Sequence, residues 1–147
     1  KSPEPSEQIA AFVHNHSGFH YLLDESICIE GFKCYGSPWQ PVFFNWAFNQ
    51  KRGLDSQKRW SLIPKDTDVL ITHGPPHGFG DRCLSGFHAG CADLLDSIQK
   101  RIHPMIHCFG HIHEAYGSYT DGSTQYINAS SCSVRYVPNQ NPICLDL

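Results

Sequence analysis

Apolar and polar positions along this 147-residue chain fall into short periodic runs separated by breaks rich in Gly and Pro. Residues 1–20 open on KSPEPSEQ and hold no sustained period, so they predict a poorly specified N-terminal segment. Two β-rich runs, 27–30 and 32–35, then flank Gly31 and predict a tight hairpin. Residues 36–61 carry Gly, Pro, Trp and Phe in irregular order, which reads as an aromatic loop followed by a short amphipathic helix.

From Thr67 onward the pattern sharpens. Asp68-Val69-Leu70-Ile71 is a continuous apolar run after a charged start, the signature of a strand buried on both faces. It stops at THGPPHGFGDR, where Gly and Pro force a loop. Cys91, Leu94, Leu95, Ile98 and Ile102 then recur at intervals of three and four, predicting an amphipathic helix over 87–101 that Pro104 stops. Residues 105–109 form a second short strand that breaks at Gly110. Strand, loop, helix, strand, loop is a βαβ unit whose loops lie at the carboxyl ends of its strands, where open α/β sheets bind ligands. Farther on, runs 116–120 and 125–128 flank Asp121-Gly122, a hairpin signal, and runs 133–137 and 143–147 complete a β-rich tail. The fold class is therefore α/β with a mixed sheet.

Composition narrows the function classes. A formal charge of −3 supplies no basic surface for nucleic acid. The apolar runs are far shorter than the ~18 residues that span a bilayer, and the N-terminus has no apolar h-region. The only Met is Met105, so the chain is expected to be processed or part of something longer. Seven cysteines without a C-x-x-C pair read as reduced thiols buried as small hydrophobes, which places the chain in the cytoplasm.

Histidine changes the picture most. Of the ten, His73 sits just past the first buried strand in THGPP, and His111 and His113 sit just past the second in GHIH. Three imidazoles thus converge from two strand ends onto one crevice, and neutral imidazole is the commonest side-chain ligand for transition metals. Three histidines alone also fit a mononuclear zinc hydrolase, with Asp81 and Glu114 the nearest carboxylates in sequence. His77 is an outlying candidate for the same crevice. Trp39, Phe43, Phe44, Trp46 and Phe48 offer either core cover or an aromatic wall, and the basic residues from Lys51-Arg52 to Lys58-Arg59 offer either solvated surface or a phosphate contact.

THGPP and GHIH resemble the fourth and fifth metal motifs of the calcineurin-like metallophosphoesterases. The blocks IEGFKCYGSPWQPVFFNWAFNQKRG, ITHGPPHGFGDR, HCFGHIHEAYG and YINASSC resemble the metallophosphoesterase-domain proteins first described from fetal brain. The resemblance covers residues 21–147 and implies the C-terminal part of a four-layer α/β/β/α metallophosphoesterase domain. It also implies two divalent metal ions (Mn, Fe or Zn) and a small phosphodiester or nucleotide substrate. His73 and His111 would bind the second metal and His113 the first; some brain-type members carry Gly in place of the histidine at position 111. The family's earlier motifs, D-x-H, G-D-x-x-D/N and G-N-H-E/D, supply the bridging aspartate, an Asn ligand and a general-acid His. None of them occurs in this sequence, and Asn15-His16 lacks the flanking Gly and acid of the third. No catalytic residue is therefore expected within the chain. The rival reading is a non-catalytic binding fragment.

Overall fold

A computed structural model gives the structure of the protein and describes Gln8, Phe12 and residues 18–146. Most of the 1–20 segment, Asn15 and His16 included, lies outside the described residues. Strands β1 (Glu25–Ile29) and β2 (Phe32–Ser37) pair antiparallel around Glu30-Gly31. Both turn residues have positive φ, 50° and 89°, as a two-residue hairpin of this hand requires. The aromatic loop contributes two short strands, β3 (Gln40–Pro41) and β4 (Asn49–Gln50), paired in parallel, and ends in the expected short helix α1 (Leu54–Trp60). Strand β5 (Val69–Thr72) leads through a long loop to helix α2 (Ala92–Ser97), and β6 (Ile106–Phe109) follows. The hairpin of β7 (Gly117–Thr120) and β8 (Gln125–Asn128) is closed by residues 121–124.

The main sheet has six strands in the order β1-β2-β5-β6-β8-β7, with β2, β5, β6 and β8 parallel and an antiparallel strand at each edge. The mixed α/β class read from the sequence is thus the observed one. Tyr35, Leu70, Phe109 and Tyr126 occupy one face and pack against Trp60 and Ile63 and against Leu94, Ile98 and Ile102, all at most 4% exposed. Burying such side chains stabilises by roughly 1.5–3 kcal/mol each. The expected burial of β5 on both faces is corrected: Leu70 and Thr72 are buried, whereas Ile71, on the opposite face beside Cys108, is 43% exposed. One face of the sheet is core; the other is open at Ile71, although Cys34, Ile106 and Ile127 on that face are buried.

Three further expectations change. The helix does not begin at residue 87; α2 begins after Cys91 and continues as a wide π turn, Ile98–Ile102. Residues 87–91 are held extended, because Cys91 N–H donates to the Pro75 carbonyl at 3.0 Å and Arg82 and Pro76 form bridges with His88 and Cys91. Gly90 permits this fit, since a Cβ there would lie 2.3 Å from the Pro76 carbonyl oxygen. The helix does stop as expected, at left-handed His103 (φ 53°) before Pro104. The last two tail strands do not form: residues 133–137 are a turn closed by Ser133 N–H on the Val137 carbonyl, and 143–146 carry no strand. All seven cysteines are free, yet only Cys34 and Cys91 are buried, and Cys28 and Cys144 are exposed. Among the described residues no helix is long and apolar enough to cross a membrane.

Candidate metal centre

The parallel register that sets Ile71 beside Cys108 brings the ends of β5 and β6 together. His73 leaves the first strand and Gly110-His111 leaves the second, and Gly110 N–H donates to the His73 carbonyl at 3.0 Å. The two side chains meet: His73 Nε2 lies 3.2 Å from His111 Nδ1, with ring centroids 4.8 Å apart. His111 reaches this position from a left-handed backbone, φ 72°. Burial lowers the pKa of His73, and burial together with His73 and His113 pushes His111 down to about 4. Both rings are therefore neutral near pH 7, the form that binds metal. The edge of Phe43 closes on His111 at a centroid distance of 4.8 Å and covers one side of it.

His113 opens a 3-10 turn, His113–Ala115. Its Nδ1 is 3.0 Å from the Ser133 carbonyl. A carbonyl only accepts, so Nδ1 carries the hydrogen and Nε2 keeps a free lone pair, the arrangement that orients a metal-binding imidazole. His111 and His113 share a cavity of about 360 Å³ with Phe43, Trp46, Cys83 and Tyr136. His73 opens into a neighbouring space of about 310 Å³ beside Trp46 and Phe48. Two imidazole nitrogens on one tetrahedral ion at ~2.0–2.1 Å would stand roughly 3.3 Å apart. The His73–His111 spacing fits such a shared ion. Among the described residues, however, no group of three or more His, Cys, Asp or Glu gathers closely enough to hold a metal. Any complete site needs donors beyond this cluster.

The other candidates have different work. Asp81 is 1% exposed; Oδ1 binds His88 Nδ1 at 2.7 Å and Oδ2 accepts from Gly90 N–H at 3.1 Å. It is sealed inside its own loop. His77 stacks on His88 at 5.5 Å rather than joining His73. Glu114 accepts from Leu84 N–H while lining the cavity of His111 and His113. Arg52 donates to the Ala89 and Gly90 carbonyls, and Arg59 binds Asp24 and covers the Trp39 ring, so two of the four basic residues are structural.

No family model matches the chain. Sequence comparison is more informative. The protein is 47% identical over 146 residues to "Metallophosphoesterase domain-containing protein 1" of Homo sapiens and, equally, of Mus musculus, covering 99% of this chain and 44% of each relative. It is 46% identical over 127 residues to "UPF0046 protein T07D4.2" of Caenorhabditis elegans, covering 86% of this chain and 32% of that one. The chain belongs to the metallophosphoesterase-domain family. It spans less than half the length of these relatives. A solved structure 22% identical in sequence superposes with a TM-score of 0.56 over 74% of this chain and 45% of its own, which shows a shared fold.

In this family member the sequence reading missed the residues behind the ligand candidates. His107, fully buried, places Nε2 2.8 Å from Thr72 Oγ1, and Thr72 donates to the Gly74 carbonyl at 2.8 Å. Since that hydroxyl donates to Gly74, it accepts from His107, so Nε2 carries the hydrogen. The brace fixes the backbone on both sides of His73. Its only sequence signal is that Leu70, Thr72 and their β6 counterparts His107 and Phe109 alternate onto one face. Asn128 and Ser130 stand in the YINASSC block, where Asn128-Ala129-Ser130 reads as a chance match to a glycosylation sequon with no structural role assigned; full burial of Asn128 removes it from glycosylation chemistry.

Proposed function

We propose that this chain supplies His73, His111 and His113 to the dinuclear metal centre of a phosphoesterase that hydrolyses phosphodiesters such as nucleotides. The observation that carries the reading is the 3.2 Å approach of two neutral imidazoles at the ends of adjacent parallel strands. His73 and His111 would hold one divalent ion (Mn, Fe or Zn) and His113, through its free Nε2, the other. Divalent ions held there would supply Lewis-acid chemistry, neutralising phosphate charge and acidifying a nucleophilic water. The chain's own part is to hold three imidazoles oriented, His73 and His111 among them neutral, with the rings of Phe43 and Tyr136 edging onto His111 and His113. The bridging carboxylate and the general acid belong to the D-x-H, G-D-x-x-D/N and G-N-H-E/D motifs that the sequence lacks. The open sheet face around Ile71 is where the rest of the domain in longer relatives would pack. Free thiols suit a cytoplasmic setting.

A second reading, a metal-binding fragment without turnover, is favoured by the absence of a three-donor cluster among the described residues. Calorimetric titration with Mn²⁺ and assay of a p-nitrophenyl phosphodiester test both. The chain is expected to bind manganese weakly, to lose that binding in His73→Ala and His111→Ala, and to turn over no substrate. A longer family member carrying the early motifs should show turnover that each histidine substitution abolishes. Unchanged metal binding in both variants would remove the proposal.

A further inference from the structure

The three histidines are useful only if two separate loops keep a fixed mutual position, and beside the Gly110–His73 backbone bond and the Leu84–Glu114 contact a fully buried side-chain amide joins those loops. Asn128 ends β8, in register with Phe109 at the end of β6, and is 0% exposed. Its Nδ2 donates to the Gly80 carbonyl at 2.9 Å and to the Ile112 carbonyl at 2.8 Å. Its Oδ1 accepts from Ser130 N–H at 3.1 Å and from Ser130 Oγ at 2.8 Å. Both amide hydrogens and both acceptor positions are used. The carbonyl of Ile112 lies between His111 and His113, and Gly80 lies in the loop that begins at His73.

We propose that Asn128 is a positioning residue that locks the His73 loop and the His111–His113 loop into one frame. The idea rests on the metal-centre reading above for its purpose, but the geometry it predicts is independent of metal. Gly80 shows how closely the lock is built: it has φ 62°, and a Cβ there would lie 3.1 Å from the Asn128 Cβ and 3.0 Å from the Phe109 ring. No other residue type offers two donors and a double acceptor from so short a stem. Aspartate is nearly isosteric yet would turn an oxygen toward two carbonyls, and alanine would strip the Gly80 carbonyl and the Ser130 N–H of this partner and leave the Ile112 carbonyl with Ala115 N–H alone.

A general loss of stability has to be separated from a loss of position. Thr124→Val is the control, because Thr124 is equally buried just before the other end of β8 and its Oγ1 donates to the Pro104 carbonyl, away from the histidines. The first readout is the NMR cross-relaxation contact between the His73 and His111 rings without metal, in protein labelled at histidine. The second is Zn²⁺ affinity by calorimetry. Asn128→Asp and the milder Ser130→Ala are expected to weaken or lose the inter-ring contact and to bind Zn²⁺ at least ten-fold more weakly, while Thr124→Val keeps both at a comparable loss of melting temperature. If Asn128→Asp fails to fold, Ser130→Ala and Asn128→Ser carry the comparison. Retention of the ring contact in folded variants, or its equal loss in Thr124→Val, overturns the proposal. Wild-type protein that shows the ring contact but binds no Zn²⁺ would defeat the metal-centre reading and leave the positioning role standing.

Discussion

His107 carries an imidazole sealed inside the sheet between Phe109 and Tyr126, and burial drives its pKa down to about 3. In the unfolded chain the same ring titrates near 6.5. The folded value is the lower one, so the unfolded state takes up the proton first, and stability present above pH ~6.5 drains away as the pH falls toward 3. Between about pH 7 and about pH 4.5 this one group costs about 2.5 kcal/mol by linkage, a large share of the ~5–15 kcal/mol that holds a typical domain together. His111, lowered to about 4 and partly exposed, acts in the same direction with less weight. Urea denaturation read by tryptophan fluorescence, at the two pH values, measures the loss. His107→Leu is expected to cost about 1–2 kcal/mol at pH ~7, through the bond to Thr72 Oγ1. Its stability should then fall by about 2 kcal/mol less than that of the wild type on acidification. Equal losses in the two proteins would show that the proton goes elsewhere and would refute the reasoning.

Other perturbations follow from the same geometry. Gly90→Ala drives a methyl to 2.3 Å from the Pro76 carbonyl and 2.7 Å from Asp81 Oδ2, so thermal unfolding should show a loss of about 2–4 kcal/mol. Asp24→Ala strands Ser37 Oγ, Trp39 Nε1 and Arg59, whose bonds of 2.7, 3.0 and 2.6 Å it accepts; a loss of about 2–3 kcal/mol is expected in the same assay. Lys100→Ala breaks an exposed i,i+4 pair with Asp96, and its melting curve should be within about 0.5 kcal/mol of the wild type.

The parts of the molecule that were legible in the sequence share a local cause. The Glu30-Gly31 hairpin, α1, the two central strands and the stop before Pro104 are set by residues a few positions apart, and the histidines at the strand ends follow from them. What was hidden depends on contacts across the chain. The helix start at Cys91 is decided by the Pro75 carbonyl, and the periodicity of 87–102 carries no trace of that. Runs 133–137 and 143–146 have strand-like composition, yet 133–137 turns back on itself through Ser133 N–H on the Val137 carbonyl and neither run adds to the edge that β7 leaves. Asp81 reads as an available carboxylate until His88 and Gly90 are seen to occupy both its oxygens. Within the centre, two of the three histidines meet through a single hydrogen-bond-length contact, a distance that spacing alone could not supply.

His111 sets a conflict between two kinds of selection. Its φ of 72° places it where an L-residue with a side chain is held at a cost of roughly 1 kcal/mol, and where glycine is at ease. The fold therefore favours the one substitution that removes the imidazole. Mutational drift toward glycine would meet little resistance from the thermodynamics of folding, and only a use for the ring could hold histidine there. A lineage in which that use has lapsed could shed the histidine while keeping the scaffold intact, so the residue at position 111 reports on continued demand for the site more directly than overall sequence identity does.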